Sequence, residues 1–204
     1  MMYRQLNESE KEVLIKNGCS ADNWENIRVK EDFNPAYVKN VEFSGNISLG
    51  TFTREFDQAG GFKVHSGIFD VRLHNVSVGD DCYIHSVHNY IANYNISNDV
   101  FIENTNLIVV DGESTFGNGV RVPVMNETGG REIPIYDYLC APLAYILTMY
   151  RHDTELVEKL EEMINVYTEK QKSSVGYIGC NVKIVNCGSI KNVRIGDYAT
   201  LGGV

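Results

Sequence analysis

The chain has 204 residues, 43% of them hydrophobic, with 18 Lys and Arg against 27 Asp and Glu for a formal charge of −9. That length buries one sizeable core and is short for two, and the acidic balance has the wrong sign for a protein living on nucleic acid or on an anionic membrane surface. Five cysteines, an odd count with no Cys-x-x-Cys pair, argue against a disulfide framework or a zinc ribbon and for reduced thiols, with Cys82 and Cys180 as small hydrophobes.

Taken in chain order, the first segment, residues 1–30, reads as an N-terminal cap. It has no apolar core of signal-peptide length, and the most apolar stretch anywhere, Ala141 to Tyr150, is far below the roughly 20 residues a membrane span needs. The expectation is a soluble cytoplasmic protein with no membrane partner. Asn7-Glu-Ser-Glu before Val13-Leu-Ile, closed by Asn17-Gly18, predicts a short capped helix. Ser20-Ala-Asp-Asn-Trp24 starts another turn, with Trp24 read as a packing residue of the cap. Such a cap covers the open first coil of a repeat, whose edges are otherwise unpaired.

Residues 38–136 follow, with a looser repeat at Val41-Glu-Phe-Ser-Gly-Asn-Ile-Ser-Leu-Gly and an excursion over residues 51–67. Apolar residues then recur at Val78, Ile84, Tyr90, Ile96, Ile102 and Ile108, a spacing of six that neither a helix nor an ordinary hairpin produces. A second apolar or small residue stands two positions earlier, at Val76, Cys82, Tyr94 and Val100. Twenty asparagines and eighteen glycines against four prolines fit a chain that turns often, because Asn and Gly tolerate left-handed backbone. A short strand and a tight turn every six residues, three times per coil, predicts a prism-shaped parallel β-helix. Each anchor then stacks on the one eighteen residues later, Val78 under Ile96 and Ile84 under Ile102.

Residues 137–172 interrupt the repeat as a helical hairpin. Asp137 to His152 forms the first helix, beginning nearer Leu139 because Pro142 suits only a first turn. The second runs from Asp153, its N-cap, to Lys172, with an apolar stripe at Leu156, Leu160, Met163, Ile164 and Tyr167 packed on Leu143, Ile146 and Leu147. The hairpin is either a packed insertion or a lid or dimerisation arm. Residues 175–204 resume the period at Ile178, Ile184, Ile190, Ile195 and Leu201, with one unit a residue short. The whole is read as one domain, 1–204, and its stop at Leu201-Gly-Gly-Val, in mid-unit, predicts that a C-terminal region follows.

The wording of these units, as in Val78-Gly-Asp-Asp-Cys and Ile195-Gly-Asp-Tyr-Ala, resembles the hexapeptide repeat of left-handed parallel β-helix proteins, over roughly half the chain. The fold class this resemblance implies is an all-β core, a left-handed parallel β-helix with N-terminal capping helices and an inserted α-helical hairpin. More narrowly, Met2-Tyr-Arg-Gln-Leu, His88-Asn-Tyr-Ile-Ala-Asn-Tyr, Glu113-Ser-Thr-Phe-Gly-Asn-Gly-Val and Asn126-Glu-Thr-Gly-Gly-Arg-Glu-Ile-Pro-Ile-Tyr-Asp resemble an uncharacterised bacterial family of unknown function, whose members are several times longer.

The first resemblance implies a trimeric acyltransferase-like transferase, in which a coil histidine removes a proton from a sugar hydroxyl or amine that attacks an acyl thioester, acyl-CoA or an acyl carrier. His85 and His88 are the candidates. In the phase that keeps Tyr90 inward, His88 is buried and His85 is the more accessible, but Tyr90-Ile91 allows the register to slip by one. A second constellation, read from the residues, is Arg121, Asn126, Gly129, Gly130 and Arg131, whose turn N–H groups and guanidinium forks suit an anionic group, with Glu127 as a base. Its alternative is a long turn whose Arg–Glu pair braces the hairpin. No metal is expected, since histidines three apart fall on different faces of a β-coil. The leading function is a transferase acting on a nucleotide-sugar or similar small acceptor. The alternatives are a non-catalytic oligomerisation or ligand-sensing scaffold, and a regulatory β-helix of a sugar-phosphate nucleotidyltransferase. A homo-oligomer, a trimer, is the implied assembly.

Overall fold

Apolar residues recurring every five to seven positions form the inner rows of three parallel ladders, in a computed structural model that describes residues 3–125 and 129–203. The first row runs Val38, Ile68, Ile84, Ile102, Ile184 and Leu201. The second runs Phe43, Leu73, Ile91, Ile108 and Ile190. The third runs Val29, Leu49, Val78, Ile96 and Ile178, with Ile195 bridging onto its end. All but Leu201 are buried, at roughly 1.5–3 kcal/mol of transfer free energy per side chain. Val78 pairs with Ile96 and Ile84 with Ile102, as the period requires. Val76, Cys82, Tyr94 and Val100 are buried beside them.

One anchor is corrected. Ile91, not Tyr90, takes the inward place, pairing with Leu73 and Ile108, while Tyr90 is 39% exposed. The unit from Ile84 is therefore one residue long and the next one short, a slip that the adjacent apolar pair permits without losing a buried side chain.

The corners between ladders carry left-handed residues at stacked positions. Asn40, Asp70, Ser86, Asn104 and Asn186 have φ of 49–55°, and Asn75 and Asn93 have 52° and 59°. Their amides form side-chain ladders, Asn40 donating to Asp70 at 2.9 Å and Asn104 to Asn186 at 2.7 Å. The Asn surplus is thus spent on corners, where its short side chain meets the rung above. Helix α1 (Glu8–Lys16) has Asn7 as N-cap with a complete capping box to Glu10, and it buries Leu14. Gly18 ends it at φ 81°, and a Cβ there would lie 2.5 Å from the Asn40 amide oxygen, so only glycine continues the corner column downward. The excursion is an antiparallel hairpin, Glu55–Asp57 with Lys63–His65.

By its contacts the chain divides into two compact units, Met1–Val110 with Val175–Val204, and Asp111–Ser174. The second holds a short antiparallel pair, Arg121–Pro123 with Glu132–Pro134, and helices α2 (Ala141–Met149) and α3 (Thr154–Gln171). Helix α2 begins at Ala141, two residues after the expected Leu139, with Pro142 in its first turn, and Asp153 caps α3 through its side chain. The buried face of α3 is Val157, Ile164 and Thr168 with Leu160 partly covered, whereas Leu156 and Met163 are exposed. The expected stripe is therefore rotated, because the Ile133 strand and Leu147 of α2 together form the cluster that α3 covers.

Candidate functional site

The corner column at Asn40, Asp70 and Ser86 separates two grooves on the outside of the rungs, and the two coil histidines stand on either side of it. His85 belongs to strand Tyr83–Val87, where register sets it between Phe69 of the rung below and Glu103 of the rung above. Its Nε2 lies 3.5 Å from Asp70 Oδ2 and its Nδ1 4.0 Å from Glu103 Oε1, with Ser86 Oγ at 3.1 Å from Nδ1. It opens on a groove of about 340 Å³ lined by Lys39, His65, Phe69, Asp70 and Tyr83 among others. The wall is aromatic: Tyr83 stacks on Phe101 at 4.7 Å, and Phe56 of the hairpin packs on both rings. Burial pushes the Tyr83 phenol above its ordinary range, so it stays a neutral hydroxyl.

His88 is exposed, contrary to the expected buried phase, because Val87 takes the inward place ahead of the slipped register. Asn104 Nδ2 donates to Asn186, which turns Asn104 Oδ1 toward His88 Nε2 at 2.9 Å. In the neutral ring the proton therefore sits on Nε2 and the acceptor is Nδ1. Its groove is small, about 170 Å³, and shares Asn40 and Asp70 with that of His85. Arg72 and Glu42, paired at 2.8 Å, line its other side.

A larger groove, about 600 Å³, lies beyond Arg72 and Glu42 and holds His74, Ser44 and Tyr90, of which the sequence singled out only Tyr90, and as a core anchor. Ser44 Oγ is 2.8 Å from His74 Nδ1, the distance of a nucleophile and its base. The proton runs the wrong way. The Asn46 N–H fixes Asn75 Oδ1 at 3.0 Å, so Asn75 Nδ2 faces His74 Nε2 at 3.0 Å and makes it the acceptor. Nδ1–H then donates to Ser44, whose hydroxyl turns to the Leu73 carbonyl at 3.3 Å. This is a satisfied structural chain, and it leaves Ser44 without a base.

The second constellation lies in the other unit. Arg121 forms a two-pronged pair with Glu161 of α3 at 2.8 and 3.1 Å and reaches the Glu132 carbonyl at 3.1 Å, and the paired carboxylate raises its pKa. The Gly130 N–H donates to Glu132 Oε1 at 2.8 Å and holds that carboxyl below its usual range. A Cβ on Gly129 would come within 3.0 Å of the same oxygen. The Arg131 guanidinium reaches the Met149 sulfur at 3.9 Å. The turn thus already holds a carboxylate of its own chain, and the Arg121–Glu161 brace matches the alternative reading of this stretch. Asn126 and Glu127 lie outside the described residues. Among the described residues no group of three His, Cys, Asp or Glu could hold a metal ion, and no helix is long and apolar enough to cross a membrane.

Comparison with known proteins gives a family without an activity. A family model described as "Domain of unknown function (DUF4954)" matches residues 3–204. An uncharacterized protein of Treponema pallidum (strain Nichols) is 28% identical over 212 residues, which cover 98% of this chain and 29% of that relative. The chain therefore spans less than a third of that relative's length. No solved structure matches.

Proposed function

The chain belongs to the DUF4954 family, and from the setting of His85 we propose that it is a transferase of the acyltransferase type, moving an acyl group from a thioester to the hydroxyl or amine of a nucleotide-sugar or similar small acceptor. The coil is read as a left-handed parallel β-helix of hexapeptide repeats. What supports that reading is the eighteen-residue stacking of Val78 on Ile96 and Ile84 on Ile102, and the left-handed corner residues at fixed places in each rung. Because the fold alone hosts many functions, the activity rests on the site.

One observation carries it: His85 stands at the mouth of an aromatic-walled groove with a carboxylate on each side, Asp70 and Glu103. A carboxylate beside an imidazole orients the ring and stabilises the charge it gains on accepting a proton. In the proposed step the acceptor O–H or N–H loses its proton to His85, the oxygen or nitrogen bonds to the thioester carbonyl carbon, and the carbon–sulfur bond breaks to release a thiolate. Lys39 is the cation that lines the groove and suits an anionic part of either substrate. The Gly130 turn does not suit the donor, since Glu132 and Glu161 already occupy its N–H and guanidinium. Acyl-CoA or an acyl carrier would supply the activated carbonyl.

The test is thiol release from acetyl-CoA in the presence of a panel of nucleotide-sugars and amino sugars, with wild type, His85→Ala and Asp70→Asn. We expect His85→Ala to lower turnover by about 10²–10⁴-fold and Asp70→Asn by less. Unchanged turnover in His85→Ala sinks the assignment. A homotrimer belongs to the same reading, and a monomeric mass by light scattering counts against it. The scaffold reading draws on a different observation, that His74 and His88 are tied into the corner amide ladders, and it gains if no acceptor supports thiol release.

A further inference from the structure

The hairpin returns to the rungs through His65, to which the sequence assigned no chemistry. Its ring lies flat on Tyr37, centroids 3.8 Å apart and planes 6° from parallel, so each ring fixes the other's tilt. Its Nδ1 is 2.8 Å from the Ser66 carbonyl oxygen. A carbonyl oxygen only accepts, so Nδ1 carries the proton, and in the neutral ring Nε2 is left as a lone-pair acceptor. The neck behind it is rigid. Ser66 is fully buried, its N–H donates to the Arg54 carbonyl at 2.7 Å, its hydroxyl accepts from the Arg54 N–H at 3.1 Å, and Arg54 is ion-paired to Asp99. His65 therefore enters the His85 groove in one orientation and one tautomer.

We propose that His65 is the specificity-determining residue of this groove, accepting at Nε2 a hydrogen bond from a ligand hydroxyl or amine, and that the ligand is a polyhydroxylated ring of monosaccharide size. The polar lining alternates in the way such a ring needs. His65 Nε2 and the Asp70 carboxylate accept, the Lys39 ammonium donates, and Phe69 and Tyr83 offer an aromatic wall to the C–H face of a sugar. A volume of about 340 Å³ is at the small end of ligand sites and suits one ring. An analogue lacking the matching hydroxyl forfeits the hydrogen bond to Nε2, and that difference is the discrimination His65 supplies. The chemical step attached to this binding rests on the transferase reading, whereas the binding does not.

Two measurements test it on the whole chain. Long-range ¹H–¹⁵N correlation spectra should show the His65 ring, in its neutral form, with Nδ1 protonated and Nε2 bare. Saturation-transfer titrations with glucose, N-acetylglucosamine and their monodeoxy analogues then compare wild type with His65→Phe, which keeps the stack on Tyr37 but has no acceptor, and His65→Gln, which keeps an acceptor. We expect His65→Phe to bind about tenfold more weakly and His65→Gln to retain most of the affinity. An Nε2–H tautomer, equal sugar binding by His65→Phe, or no binding of any sugar in the panel to wild type overturns the proposal. Failure of the transferase reading shows elsewhere, as unchanged thiol release in His85→Ala, and sugar binding that depends on His65 would survive it.

Discussion

Glu10 joins the first strand, Tyr3–Gln5, to helix α1 through one carboxylate. It accepts from both terminal nitrogens of Arg4 at 2.7 and 2.8 Å and from the Asn7 N–H at 2.9 Å, while Asn7 caps its own N–H in return. The Arg4 guanidinium holds its carboxyl below the usual range against the opposing effect of burial. The linked stability is therefore present above the ordinary carboxylate pKa and lost as pH falls through the lowered one. Glu10→Gln should cost about 1–2 kcal/mol at pH 7 in a denaturant titration, and the gap to wild type should shrink in acid. Cys82 works in the opposite sense. Complete burial pushes its thiol up to about 12, so the stability linked to its neutral form is intact below the ordinary value of 9.0 and fades as pH climbs toward 12. At pH 8 a thiol reagent should label the exposed Cys140 in the native chain and reach Cys82 only after denaturant is added, as peptide mapping will show. At this scale the place of His85 beside the inward Ile84 was legible from the period of six, whereas its carboxylate neighbours Asp70 and Glu103 come from other rungs and were not. His65 was not, since its chemistry follows from the direction of one carbonyl, and no residue type encodes that.

At the scale of elements, the corner amides and the close pairs across rungs decide which substitutions the coil tolerates. Asn75 has a left-handed φ of 52°, accepts from the Asn46 N–H and donates to His74. Asn75→Val should destabilise by about 2–3 kcal/mol, from the backbone penalty of a branched residue there plus the lost hydrogen bonds, while Asn75→Gly loses only the bonds, and urea melts of the two separate the contributions. Tyr94 fills a rung from within, its hydroxyl donating to the Val193 carbonyl at 2.8 Å, and a Cβ on Gly176 in the paired position would lie 2.4 Å from its ring. Gly176→Ala should therefore unfold the chain at clearly lower denaturant than wild type, by the overpacking cost of about 1–3 kcal/mol. The period of six makes these rungs readable in the sequence, as Asn7 and Asp153 do the starts of α1 and α3. The Tyr90–Ile91 slip was hidden because both residues are apolar and only the stacked rung chooses between them. The rotated face of α3 was hidden for a related reason: its partner strand at Ile133 was not recognised as an element.

At the scale of the molecule, the two units invite a deletion. The ends of the segment Asp111–Ser174 are tied together by a pair of hydrogen bonds between Ser114 and Ser173, each 3.0 Å. A two- or three-glycine bridge from Val110 to Val175 should thus leave the rungs able to fold, with β-type circular dichroism and a single cooperative melt. A chain that melts without cooperativity would show that the rungs depend on the removed segment.

The corner columns also set a growth rule for the coil. An Asn corner adds a rung without adding charge, so the Asn104–Asn186 step can be repeated without accumulating repulsion. Asp81 and Asp99 break that rule, since they stand at stacked corners one rung apart, roughly 5 Å. The start of the excursion, just before the hairpin, supplies the remedy at that spot: the Thr53 and Arg54 N–H groups bind Asp81 and the Arg54 guanidinium binds Asp99. An excursion that looks like an interruption of the repeat is then what permits two acids to stand on neighbouring rungs. Relatives that lack the excursion should carry uncharged residues at one or both of these corners.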